Sequence, residues 1–265
     1  MSTHKKTMIA GNWKMHLTVA QASLLVQRLH ERVQTHKDIE VVLAPTMLQL
    51  QPLSVQLDRR KFRLAAQNAY YKDEGAYTGE VSFTMLRNLV TYALIGHSER
   101  RHIFNESLDE VTQKVAAAYR NGIVPILCVG ETKIEKLSKE TNQVLHDQVV
   151  SALANVTSEE VKNIVIAYEQ VWAIGTGDSA KPHDVAAAAR VIKHNIAELY
   201  GTQAAESVRI LYGGSVSADT ASGYLRLPEV DGLLVGGASL NYHSFSDIIH
   251  SVYRAKRNIQ TIRDI

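Results

Sequence analysis

The chain repeats one unit eight times: a short apolar segment rich in β-branched residues, followed by a longer segment with helical periodicity. The apolar segments are continuous rather than alternating, which is typical of parallel strands that are covered on both faces. They lie at residues 8–10, 39–44, 62–67, 92–96, 123–130, 163–168, 209–212 and 232–236. Eight such units in 265 residues predict an α/β fold, a single eightfold β/α barrel with parallel strands. A doubly wound open sheet is the alternative, because periodicity alone does not show closure.

The segments between the predicted strands carry helix start and stop signals. Thr18 begins a capping-box pattern, and Pro182 begins an amphipathic segment that Gly201 ends. No Gly/Ser-rich or Pro-rich linker divides the chain. We therefore expect one domain over residues 1–265, with its core at about residues 8–254.

Composition excludes several classes of protein. Twenty-nine basic and 27 acidic residues leave a net charge of only +2, which argues against a nucleic-acid partner. The single cysteine, Cys128, cannot form an internal disulfide, so we expect a reducing compartment, the cytoplasm. The apolar run at 8–10 is too short for a signal peptide, and the uncharged stretch 41–57 contains two prolines, so no membrane partner is expected.

Three chemically active residues follow predicted strands, where the chemistry of a β/α barrel lies. Lys14, His97 and Glu169 follow the first, fourth and sixth strands. Each also has an ordinary interpretation: a solvated lysine, a structural histidine or an ion-paired glutamate. His97 lies where a helix begins, and the positive end of that helix is expected to keep the imidazole a neutral hydrogen-bond donor. Glu169 enters a largely apolar environment, which suits a general base.

Two glycine pairs follow the last two predicted strands. Gly213 and Gly214 precede Ser215, and Gly236 precedes Gly237. Backbone N–H groups at such turns can bind a phosphate, and this fold binds phosphate at the loops after strands 7 and 8. The lysine, histidine, glutamate and both glycine pairs fall on one rim, which favours a single site.

The segment directly after Glu169 combines apolar and small residues and is predicted to form a lid that closes over the site. Its residues are Gln170, Val171, Trp172, Ala173, Ile174, Gly175, Thr176 and Gly177.

Six motifs in this order closely resemble those of the triosephosphate isomerase family, and the resemblance extends from about residue 8 to residue 254. The motifs are Gly-Asn-Trp-Lys-Met at 11–15, Gly-His-Ser-Glu-Arg at 96–100, Ala-Tyr-Glu at 167–169, Val-Trp-Ala-Ile-Gly-Thr-Gly at 171–177, Tyr-Gly-Gly-Ser-Val at 212–216 and Leu-Val-Gly-Gly-Ala at 234–238.

The resemblance implies an aldose–ketose isomerase of glycolysis and gluconeogenesis that interconverts dihydroxyacetone phosphate and glyceraldehyde 3-phosphate. Glu169 would move a proton between C1 and C2. His97 would donate hydrogen bonds to the enediolate, while Lys14 and Asn12 add positive potential and orientation. Glu99 would hold Lys14, or the residues around it, in position.

The resemblance also implies how the substrate is held. Backbone N–H groups of Gly175, Ser215, Gly236 and Gly237 would bind the phosphate, and no metal or organic cofactor is expected. The segments at 67–68 and 75–80 resemble the family's dimer loop. A homodimer is therefore expected, with Thr78 docking at the site of the second protomer.

The chain departs from the family pattern at the lid. Gln170 stands where the family usually has proline, and Asp178-Ser179-Ala180 stands where it usually has Lys-Thr-Ala. These changes leave one alternative open, an isomerase of a related ketose phosphate such as a tetrulose phosphate. A non-catalytic phosphosugar-binding barrel is a third reading. It predicts loss of Glu169 or His97, and both are present.

Overall fold

The structure, a computed structural model, describes residues 5–171 and 181–263. Within these residues eight strands pair in parallel, each with the next in the chain, and β8 pairs with β1. The predicted closed barrel is confirmed, and the open-sheet alternative is wrong. The strands are β1 (Thr7–Asn12), β2 (Ile39–Ala44), β3 (Phe62–Ala66), β4 (Tyr92–Ile95), β5 (Val124–Val129), β6 (Val165–Tyr168), β7 (Arg209–Tyr212) and β8 (Gly232–Val235).

Strand boundaries differ from the predicted ones mainly at β1 and β6. β1 continues to Asn12, so Asn12 lies at the last strand position and not in a loop. β6 begins at Val165, two residues later than predicted, because Val161–Asn163 forms a turn of 3₁₀ helix.

Helices connect the strands and cover the outside of the barrel. Thr18 forms the predicted capping box with Gln21, Pro182 lies at the first turn of its helix, and Gly201 follows the end of that helix with φ +87°. No helix within the described ranges is both long and apolar enough to span a bilayer. Those ranges contain α1 (Val19–Arg32), α2 (Met47–Gln56), α3 (Phe83–Leu86), α4 (Ser98–Ile103), α5 (Leu108–Arg120), α6 (Lys133–Leu137), α7 (Thr141–Leu153), α8 (Pro182–Tyr200), α9 (Thr202–Ser207), α10 (Ala218–Tyr224) and α11 (Tyr242–Arg263).

The hydrophobic core has two layers, which follow from the alternation of side chains along each strand. One layer fills the barrel lumen and includes Met8, Val42 and Leu94, whereas the larger one lies between the strands and the helices. Because the lumen is packed with side chains, a ligand can enter only at the ends of the barrel.

A polar network closes the amino end of the lumen. The guanidinium of Arg209 lies 2.7 Å from Glu40 Oε2, and the Tyr92 hydroxyl donates to the same oxygen at 2.8 Å. Arg209 also donates to that hydroxyl at 3.0 Å. Burial raises the pKa of Tyr92 to about 12, so the hydroxyl stays protonated and can donate.

Candidate active site

The carboxyl ends of the strands surround a cavity of about 450 Å³. Seven of the residues predicted from sequence line it together: Asn12, Lys14, His97, Glu169, Ser215, Gly236 and Gly237. Gly213 and Gly214 line it as well. A volume in this range is typical of a small-molecule site.

Glu169 is 3% exposed and is held in place by two hydrogen-bond donors. Its Oε1 lies 3.0 Å from His97 Nε2, and its Oε2 accepts the Ser98 N–H at 3.0 Å. Burial on its own raises the pKa of this carboxyl. The His97 ring, the Ser98 N–H and Lys14 outweigh burial, so the pKa lies below its ordinary value.

His97 is the N-terminal cap of α4, as the sequence predicted. Its Nδ1 accepts the N–H of Glu99 at 3.2 Å, so in this bond Nδ1 carries no proton and Nε2 is the donor toward Glu169. Burial lowers the pKa of His97, whereas the carboxylates of Glu169 and Glu99 raise it by a larger amount. The pKa therefore lies above the ordinary value of a histidine. This is opposite to the expected direction, because the sequence did not show that Glu169 contacts the ring.

Lys14 has an unusual backbone conformation for a residue with a side chain, with φ +51°. Three contacts hold it there. Its N–H donates to Asn12 Oδ1 at 3.0 Å, its carbonyl accepts from the amide of Gln67 at 2.8 Å, and its Nζ lies 2.6 Å from Glu99 Oε1. The lysine is therefore fixed over the cavity mouth and is in contact with Glu99. Strain maintained by its surroundings in this way is common at functional sites.

The two glycine pairs lie side by side on the rim of the cavity. A 3₁₀ segment, Gly237–Leu240, begins directly after Gly236, so the start of a helical turn lies at the cavity. At Gly213 a Cβ would lie 3.0 Å from Glu169 Cγ, and glycine therefore leaves room for the carboxylate. Backbone N–H groups at such turns form anion sites without a charged side chain.

Comparisons with known proteins agree with this geometry. The family described as triosephosphate isomerase matches residues 7–252. The chain is a member of the triosephosphate isomerase family. It is 44% identical over 247 residues to the triosephosphate isomerase of Caldanaerobacter subterraneus subsp. tengcongensis, covering 93% of this chain and 99% of that protein. It is 41% identical over 248 residues to that of Dictyoglomus turgidum, covering 93% and 100%. The Roseiflexus sp. enzyme is 43% identical over 244 residues, covering 92% and 96%.

The lid predicted from the family pattern falls mostly outside the described residues. Gln170 is fully buried directly after Glu169, and Val171 is partly buried. The hydroxyl of Tyr168, the residue before Glu169, donates to the buried Glu131 at 3.1 Å and fixes the strand end from which the lid starts. The predicted lid residues outside the described part are Trp172, Ala173, Ile174, Gly175, Thr176 and Gly177, so the phosphate contact of Gly175 stays a prediction.

Sequence reasoning missed three contributors to the site. The Ser98 N–H anchors Glu169, the Gln67 amide binds the carbonyls of Lys14 and Ala44, and His16 lines the cavity. Gln67 directly follows β3, so the same strand-end rule would have found it. The role of Ser98 belongs to its backbone, and no side-chain motif indicates it.

The segment that resembles the family's dimer loop is exposed around Thr78. Within the chain, this region is held by Asp73, which accepts hydrogen bonds from Arg120 at 3.0 Å and Asn121 at 3.0 Å. These contacts lower the pKa of Asp73 to about 2. Large apolar side chains elsewhere on the surface include Met15, Leu48, Met85, Ile103 and Phe104, of which Met15, next to Lys14, is 92% exposed.

Proposed function

We propose that this protein interconverts dihydroxyacetone phosphate and glyceraldehyde 3-phosphate through an enediolate, as an aldose–ketose isomerase of glycolysis and gluconeogenesis. The observation that carries the proposal is the 3.0 Å contact between Glu169 and His97 in a cavity that Lys14 and two glycine pairs also line. This reaction needs four groups: a base, a hydrogen-bond donor, a cation and a set of N–H groups that bind the phosphate.

Glu169 is the proposed base, and its burial gives it the required basicity. While it contacts His97 and Ser98, its pKa is held down. When it turns from these donors toward a substrate carbon, burial remains and raises the pKa. A carboxylate desolvated in this way accepts a proton from a carbon next to a carbonyl more readily.

His97 is the proposed donor to both oxygens of the enediolate. The carboxylate of Glu169 is the strongest influence raising its pKa. Once Glu169 moves away, burial and the N-terminus of α4 favour the neutral ring, whose Nε2–H can donate. The same movement thus prepares the base and the donor together.

Lys14 and Asn12 complete the proposed electrostatic environment. The Lys14 ammonium, fixed by Glu99 at 2.6 Å, supplies positive potential where negative charge develops. Asn12 is 5% exposed and sets the Lys14 backbone through its side-chain oxygen. Because both are held before substrate arrives, they need little reorganisation during the reaction.

The substrate phosphate is proposed to bind backbone N–H groups of Ser215, Gly236 and Gly237, together with Gly175 of the lid. The lid from Gln170 to Gly177 would then exclude water and suppress phosphate elimination from the enediolate. No metal or organic cofactor takes part in this proposal.

A cytoplasmic homodimer is the proposed assembly. Exposed Met15, Ile103 and Phe104 provide apolar surface near the catalytic rim, and Phe104 and Lys14 line a common groove of about 350 Å³. The proposed occupant of this groove is the loop carrying Thr78 from a second copy of the chain.

A coupled assay that compares triose with tetrulose phosphates, with and without EDTA, tests the proposed reaction. We expect turnover of triose phosphates to be insensitive to EDTA, with a kcat/KM about 10–200-fold above that for tetrulose phosphates, the range for one extra carbon in a fitted site. Preference for the tetrulose phosphate would favour the related ketose-phosphate isomerase. Binding of triose phosphate without turnover would favour the non-catalytic barrel, and loss of activity in EDTA with rescue by a divalent metal would contradict the cofactor-free mechanism.

A further inference from the structure

A second cavity lies at the opposite end of the barrel from the catalytic rim. It has a volume of about 330 Å³ and lies between the end of α2, β3 and the turns that follow α3 and α5. Three guanidinium-bearing residues line it, Arg59, Arg63 and Arg87, and we call it the arginine cleft. No Asp or Glu is among the residues that line it in the described part of the chain.

The charges of the arginine cleft are not neutralised locally. Within residues 5–171 and 181–263, Arg63 and Arg87 form no ion pair, and Arg59 makes only a long contact of 3.4 Å to the carbonyl of Asn88. All three residues are exposed. Their guanidinium donors are therefore available to a ligand.

Several of the neutral donors around the cleft are already used. Ser54 donates to the carbonyl of Gln51 at 2.7 Å, and the Asn121 amide donates to Asp73 and to the carbonyl of Ala117. Backbone N–H groups of the lining turn are bonded within the protein, as in Thr91 to the carbonyl of Leu64 at 2.9 Å. Among the described residues that line the cleft, the side-chain donors that remain are the three guanidinium groups, the Asn88 amide and the Thr91 hydroxyl. The positive charge of the guanidinium groups favours an anion.

The surrounding surface adds to this positive field. A neighbouring cavity shares Arg59 and Arg63 with the arginine cleft, and its other lysines and arginines are Lys6, Lys37, Arg60 and Lys61. Two carboxylates line this neighbouring cavity, Asp38 and Glu40, and Glu40 is bound to Arg209 at 2.7 Å. Asp58, next to Arg59 in the sequence, is bound to Arg60 at 3.1 Å. This face therefore concentrates positive charge in a chain whose net charge is only +2.

We propose that the arginine cleft binds a small phosphate-class polyanion, a diphosphate group. The planar fork of a guanidinium matches phosphate oxygens in pairs, and three such forks favour more than one negative charge. A concave site of this volume suits a small molecule and not a polymer. This site is separate from the catalytic phosphate cradle, because the two lie at opposite ends of a packed barrel.

Isothermal titration with inorganic pyrophosphate tests the proposal, with the catalytic cavity filled by a saturating phosphorylated enediolate analogue. Arg63→Gln and Arg87→Gln are each expected to weaken binding about tenfold or more, as for loss of one charge-assisted hydrogen bond. Lys37→Gln is the matched control, since it removes one exposed positive charge from the same face outside the arginine cleft. It should change the affinity by less than about twofold, in line with a screened surface charge.

Three results would overturn the proposal: no binding of pyrophosphate to the wild type at millimolar concentration, equal weakening by all three substitutions, or no weakening by either arginine substitution. A parallel titration with ADP identifies the source of the diphosphate. Tighter binding of ADP would indicate an organic diphosphate whose body contacts the apolar wall at Leu57 and Leu89, and equal binding would indicate that the inorganic group suffices. Unchanged isomerase activity in all variants separates this test from that of the catalytic site.

Discussion

The two ends of the barrel use ion pairs in different ways. At the carboxyl end, Lys14–Glu99 and His97–Glu169 face a cavity that a substrate can enter. At the amino end, Glu40 and Arg209 close the lumen with Tyr92. In the proposed mechanism, the partners at the carboxyl end are exchanged for a substrate, whereas those at the amino end are fixed by packing. Ion pairs of similar length therefore differ in their proposed roles, which are reaction at the carboxyl end and stability at the amino end.

The largest expected effect is at the carboxyl end. Glu169→Gln keeps the shape of the side chain but removes the base, and positioned proton transfer contributes about 10²–10⁴-fold. We expect kcat to fall by at least this factor while circular dichroism is unchanged. If Glu169→Gln retains more than a tenth of the wild-type kcat, Glu169 is not the catalytic base.

Thr78→Arg tests whether the carboxyl end depends on a second protomer. The larger charged side chain should prevent docking of the loop, giving a monomer in sedimentation experiments. Loss of support beside Lys14 should lower activity about 10²-fold, as small misplacements of catalytic groups do. Thr35→Arg, the same substitution at an exposed position near the amino end, is the control and should leave both properties unchanged. A fully active Thr78→Arg monomer would contradict the proposed dimer.

Arg209→Met tests the amino end. The substitution leaves Glu40 partly buried without its cation and should lower the free energy of unfolding by about 1–3 kcal/mol. Activity should stay within twofold of the wild type, because the cavity is at the other end. Urea denaturation and the coupled assay measure the two quantities. Adding Glu40→Gln to Arg209→Met should recover part of the stability. If Arg209→Met lowers activity along with stability, the two ends of the barrel do not have the separate roles proposed for them.

The smallest expected effect is at the hinge of the lid. Gln170→Pro restricts the backbone and should favour the closed lid by about 0.4–1 kcal/mol if the local φ suits proline. One kilocalorie corresponds to about a fivefold change in an equilibrium, so affinity for a phosphorylated enediolate analogue should rise by up to that factor. Methylglyoxal formation per turnover should fall. Gln170→Ala is the control, and if proline and alanine behave alike, the hinge interpretation is wrong.

Sequence reasoning predicted which residues share the rim but not how they contact each other. Parallel strands bring their carboxyl ends together, so the positions of Lys14, His97 and Glu169 followed from the repeat alone. The contact between Glu169 and His97 did not follow from the repeat, because the sequence of a strand does not specify the side-chain rotamer that brings the carboxylate to the imidazole. The positive φ of Lys14 likewise depends on Gln67, a residue from another strand end, and on packing that no local propensity encodes.

The coupling between Glu169 and His97 is the central feature of the carboxyl end, and an NMR titration of the His97 imidazole tests it most directly. In the wild type, burial lowers the pKa but the carboxylates outweigh it, so the pKa should lie above the ordinary value of about 6.5. In Glu169→Gln the strongest opposing charge is gone and burial remains, so the pKa should fall below that value and the ring should be neutral at pH 7. The same pKa in both proteins would contradict this coupling, because Glu169 would then not control the protonation of the donor it contacts.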